Sequence, residues 1–146
     1  MSSQSIISTE DSYLLDEQVG YLLRLANQRH AAIFQSRSIN GLTATQFSAI
    51  LRLYQYGECS QNQLGRYSAM DVATIKGVVD RLRQKGLVRT EPFQNDKRRS
   101  LISLTPEGIA LIKDLEKAGR DITRETLAPF TPSERQKFIA LLKKLT

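Results

Sequence analysis

Three observations predict a mainly α-helical fold: a winged helix-turn-helix carried between long N- and C-terminal helices that form a dimerisation region. First, residues 59–105 read CSQNQLGRYSAMDVATIKGVVDRLRQKGLVRTEPFQNDKRRSLISLT. Two short helical patterns are followed by a Gly stop and two strand-like runs around a polar tip, which is the order of a helix-turn-helix with a wing. Second, apolar residues recur at helical spacing towards both chain ends. Third, positive charge is concentrated in the middle of the chain. From Arg66 to Arg99, nine Lys/Arg stand against four acids, so five of the six net positive charges lie in that segment.

The bulk composition sets the frame. A chain of 146 residues, 40% hydrophobic, is one domain with enough apolar side chain for a core. The polar opening, residues 1–12, reads as a loose tail without the basic and apolar regions of a secretory signal. No apolar run approaches the ~20 residues that span a bilayer, so no membrane partner is expected. A single Cys excludes an internal disulfide and fits a reducing cytoplasm. One His and one Cys supply no structural zinc site, and neither metal nor cofactor is expected.

Each element follows from local pattern. Leu15, Val19, Leu22, Ala26 and Ile33 mark a helix from Tyr13 to about Ser36, widened by Leu14, Tyr21 and Leu25 and broken at Asn40-Gly41. Thr43-Ala-Thr-Gln46 is a capping-box start for a helix with Phe47, Ile50, Leu51 and Tyr54 on one face, stopped by Gly57. Ser60-Gln-Asn-Gln63 opens a short helix around Leu64. Ser68 or Asp71 caps the next, in which Ile75, Val79 and Leu82 share one side beside Val78. Lys85-Gly86 closes it with a cation and a C′ glycine. Leu87–Thr90 and Leu101–Leu104 are β-compatible runs joined by a polar loop. Thr105-Pro106 restarts helix, with Leu111, Leu115, Ala118 and Ile122 as its stripe. Thr131-Pro-Ser-Glu134 starts the last helix. The division is therefore 13–38 and 106–146 for dimerisation and 43–105 for the winged lobe, within one domain over 1–146.

Three local patterns resemble the multiple-antibiotic-resistance regulator (MarR) family. They are Leu42-Thr43-x-x-Gln46; Met70-Asp71-Val-Ala-Thr74-Ile75 leading to Asp80-Arg-Leu82 and Lys85-Gly86-Leu87-Val88; and Asn95-Asp96-Lys97-Arg98-Arg99 followed by Ser103-Leu104-Thr105-x-x-Gly108. MDVATIKGVVDRL and CSQNQLGR are also similar to a subgroup of that family controlling catabolism of nicotinate-type aromatic acids. The resemblance spans about Tyr13 to Leu145. It implies a helical homodimer on pseudo-palindromic double-stranded DNA, acting as a repressor that a small aromatic carboxylate or phenol releases.

Residue roles can then be assigned. Val72, Thr74, Lys76, Gly77 and Arg81 lie off the apolar stripe of the helix that enters the major groove, where Lys76 and Thr74 have hydrogen bonds to offer and Gly77 permits close approach. Arg98 matches the family's minor-groove Arg, and Lys97 and Arg99 read as backbone contacts. Asp96 has the wrong charge for phosphate, and a charge-assisted hydrogen bond to Arg98 is its expected work. For the effector, Tyr21, Arg24, His30, Phe34 and Phe47 offer rings and cations on the first two helices. Leu14, Leu15, Phe130, Phe138, Leu141, Leu142 and Leu145 supply apolar surface for a second chain. Cys59 reads as a packed structural residue. Asp16-Glu17 have no partner motif, and no phosphate loop, GxSxG or HExxH occurs, so no catalytic residue is assigned and an enzyme is not expected. The competing class is a protein-interaction module on the same fold without direct DNA readout, which salt dependence of binding to random duplex would separate.

Overall fold

The computed structural model describes residues 12–146, so the predicted tail lies outside the described residues except for Ser12. A 3-10 turn at Leu15–Glu17 precedes α1 (Val19–Arg37), α2 (Ala44–Tyr56), β1 (Cys59–Ser60), α3 (Gln61–Tyr67) and α4 (Val72–Gln84). Then come β2 (Val88–Phe93), β3 (Asp96–Leu104), α5 (Pro106–Thr126) and α6 (Pro132–Lys143). Among the described residues, no helix is long and apolar enough to cross a membrane.

The helices are started by local rules that the sequence states openly. Thr43 and Gln46 close a reciprocal box at the start of α2, Ser60 and Gln63 do so for α3, and Thr131 and Glu134 for α6. Each box satisfies two backbone donors that a helix start leaves free. Asp71, rather than Ser68, caps α4 by accepting from Thr74 N at 2.7 Å. Beneath these helices Ile50, Leu64, Ile75, Val79, Leu82, Ile102 and Leu115 are almost completely buried and form one core. The apolar stripe of α4 points into it, which leaves the opposite face of that helix free.

The sheet departs from the sequence expectation in three ways, each with a physical cause. Its order is β1-β3-β2, and its third strand, Cys59–Ser60, pairs with Ile102 and Leu101 where a turn is expected. Two residues carry no strand signal of their own, and burial against β3 makes them a strand. The wing strands run further than Leu87–Thr90 and Leu101–Leu104, so Lys97, Arg98 and Arg99 stand on β3 rather than in a loop. The ladder also breaks near the tip. Pro92 pairs with Ser100, but Phe93 pairs with Asp96, which leaves residues 97–99 bulged out of register. Pro92 has no N–H to give, and a strand proline sits at such irregularities.

The first helix is likewise shorter than its periodicity predicts. Gln18 takes an extended backbone; its N–H donates to Leu15 O at 3.0 Å, closing a separate 3-10 turn, and its side-chain amide donates to Leu14 O at 3.0 Å. From Val19 the helix runs along α5. Of the predicted stripe only Ile33 is buried within the protomer. Leu15, Val19 and Leu22 are exposed, as are Phe138, Ile139, Leu141 and Leu145 towards the other chain end.

Candidate nucleic-acid interface and effector cleft

Two elements carry the DNA-facing candidates. On α4, Val72, Thr74, Lys76 and Arg81 are exposed and Gly77 is half-buried, all outside the buried stripe of Ile75, Val78, Val79 and Leu82. A Cβ at Gly77 would lie 3.6 Å from Arg81 Nη1, an ordinary contact distance, so packing within the protomer does not require the glycine. Lys76 Nζ donates to Asp80 Oδ2 at 3.1 Å. The Asp71 carboxyl at the helix start is held below the usual carboxylate range, first by the backbone N–H of Thr74.

The wing presents its cations on the bulge. Arg98 donates twice to Asp96 Oδ1, from its backbone N at 3.0 Å and from Nε at 3.2 Å, while its side chain stays 92% exposed. Asp96 thus holds Arg98 by its backbone N–H and by one nitrogen of its guanidinium, in a side chain that is otherwise largely in solvent. Arg99 lies over Phe93, 5.0 Å from the ring centroid, which gives the bulge an internal prop. Lys97 stands on the same segment. Because α4 packs against β2, helix and wing face out from one lobe.

The five effector candidates do not meet in one cavity. Arg24 lies over its own helix neighbour Tyr21 at 5.4 Å, His30 Nδ1 is 2.9 Å from Thr126 Oγ1, and Phe34 meets Phe47 edge to face at 5.6 Å. Of the five, Phe47 alone lines an open crevice of about 1050 Å³ between α2, α5 and α6. Its apolar floor is Phe47, Leu51, Leu127, Ile139 and Ala140, and its rim carries Arg120, Arg124, Arg135, Lys143 and Glu116. Arg124 is tied to Asp121 at 2.8 Å and Arg135 to Phe130 O at 3.2 Å. Sequence reasoning missed the four cations because they lie on two helices that only the fold brings together. Cys59, 5% exposed, packs in the core, where burial pushes its thiol above its ordinary value. A group so placed is protonated and inaccessible, which suits packing and not redox sensing.

A helix-turn-helix flanked by a cationic wing on one lobe defines a winged helix-turn-helix DNA-binding protein. A family model described as MarR family matches residues 42–100. The HTH-type transcriptional repressor NicR of Pseudomonas putida is 38% identical over 134 residues, covering 91% of this chain and 85% of that protein. A solved Pseudomonas aeruginosa chain superposes with a TM-score of 0.87 at 48% identity, over 91% of this chain and 100% of that one. Bordetella bronchiseptica BpsR, whose DNA binding is regulated by 6-hydroxynicotinic acid, gives a TM-score of 0.86 at 38% identity, over 92% and 96% of the two chains. This chain belongs to the MarR family of transcriptional regulators.

Proposed function

We propose that this protein is a homodimeric repressor that holds a pseudo-palindromic operator and lets go when a small aromatic carboxylate binds beneath α5. The observation that carries the reading is the lobe itself, with the free face of α4 and the cationic bulge of β3 presented together. Val72, Thr74, Lys76, Gly77 and Arg81 enter the major groove, Arg98 the adjacent minor groove, and Lys97 and Arg99 meet phosphate. The two chain ends, residues 13–38 and 106–146, form the dimer, because their exposed leucines and phenylalanines are otherwise left in water. The protein works in the cytoplasm as a regulator and not as an enzyme.

The effector reading rests on the crevice and on the relatives. A ring fits the Phe47, Leu51 and Leu127 floor, and a carboxylate fits Arg120 or Lys143, which have no tie like those of Arg124 and Arg135 among the described residues. One such acid, 6-hydroxynicotinic acid, regulates DNA binding by BpsR. To release DNA the acid must bind the form whose two α4 helices are not spaced about 34 Å apart, since equal affinity for both forms shifts nothing. The test is a gel shift with a duplex selected by the protein and a panel of benzoates, hydroxybenzoates and pyridine carboxylates. Release by at least one acid, lost in Arg120→Ala and kept in His30→Ala, is expected. If no acid releases DNA at millimolar concentration, the effector reading fails.

A further inference from the structure

We infer that Asp80 is a positioning residue that ties the recognition helix to the wing and so sets how sharply this protein separates its operator from random DNA. Residues 73, 77, 80 and 84 follow one another at helical spacing along the outward face of α4, opposite its buried stripe. Asp80 therefore stands on the side that meets DNA, where a carboxylate opposes every phosphate. Both of its oxygens are engaged. Oδ2 accepts from Lys76 Nζ at 3.1 Å and Oδ1 from Arg83 Nη2 at 3.2 Å. The other terminal nitrogen of Arg83 donates to Thr90 Oγ1 at 3.2 Å. Thr90 lies on β2, in register with the buried Ile102 of β3. One carboxylate thus joins a groove-facing lysine to the base of the wing through a single guanidinium.

Helix stability accounts for only a small part of this arrangement, through the favourably ordered Asp80–Arg83 pair. A lysine one turn before its acid is the poorer order for an i,i+4 pair, and exposed pairs contribute little. An acid on the DNA face also weakens attraction to all duplexes alike, because binding to random DNA is a matter of phosphate charge. What the acid supplies is geometry. It holds the Lys76 head in one place relative to the wing, so that both reach their targets in register only on the correct site, and it keeps two cations from wrapping any phosphate they meet.

The experiment uses the full chain, a duplex selected from a random pool by the wild type, and a scrambled duplex, at several salt concentrations. Asp80→Asn is expected to hold or tighten binding to the scrambled duplex, with a salt slope steeper by about one phosphate contact. Its operator-to-scrambled ratio should fall about 3–10-fold, the scale of one or two weak polar couplings. Asp80→Glu should restore part of the ratio. Thr90→Val should lower the ratio in the wild type and do nothing further in Asp80→Asn. An unchanged ratio, or equal loss on both duplexes with an unchanged melting curve, overturns the inference. So does a switch of preference from cytosine to adenine at one operator position, which would mean that Asp80 reads a base itself. Should Asp80→Asn not fold, Thr90→Val in the wild type decides, and an unchanged ratio there overturns the inference equally.

Discussion

At the scale of single residues, the joint between the winged lobe and α5 turns on Gly108. Thr105 Oγ1 donates to Gly86 O at 2.6 Å and accepts from Gly108 N at 3.1 Å, while Thr105 N donates to Leu87 O at 3.1 Å. A Cβ on Gly108 would stand 2.3 Å from that same Leu87 oxygen, which is backbone and cannot swing aside. Gly108→Ala is therefore expected to destabilise the fold by at least about 1–3 kcal/mol, the usual effect of forcing extra atoms into a packed site, read by chemical denaturation. An unchanged midpoint would mean that the joint is softer than this geometry. Caps and C′ glycines are legible in sequence because each acts within four residues of itself. The reason for Gly108 is not, since its constraint comes from a carbonyl 21 positions earlier in the chain.

At the scale of elements, wing and recognition helix should fail differently. Arg98 projects from a bulge with its Nε held by Asp96 and its side chain largely in solvent, and in the proposed role it would read groove shape and charge more than base identity. Arg98→Ala is expected to weaken binding to every duplex by a similar factor. Thr74→Ala and Lys76→Ala should each cost about 1–3 kcal/mol on the operator and little on scrambled DNA, and should relax sequence preference. Fluorescence anisotropy on both duplexes checks this, and equal losses on the two would reduce the helix residues to phosphate neutralisers. The sequence showed both elements but not their junction. Helix α4 is legible from its core stripe. The outer half of the wing is not, because Glu91 to Ser100 is charged and contains a proline, a composition that reads as loop until a neighbouring strand supplies its hydrogen bonds.

At the scale of the whole molecule, the proposal that the chain ends form the dimer is open to a direct test. A protein of 16.5 kDa should sediment at about twice that mass at micromolar concentration, and Leu141→Glu, placed where α6 is 60% exposed, should return it to monomer with its helix content kept. A wild-type monomer under those conditions would remove the assignment of the end helices. Their apolar surplus is visible in sequence. Which faces stay open is not, because α1 spends only part of its surface on α5, and because Gln18 cuts its first turn away. The wing has one more consequence, for copies crowded along DNA. Strand β2 is the outer edge of the sheet, and an open edge is a template on which another chain can zip up. Here that edge is six residues long, carries exposed Arg89 and Glu91, and has at its penultimate position Pro92, with no hydrogen to lend. The proline that marks the break in the ladder also makes the wing a poor seed for aggregation.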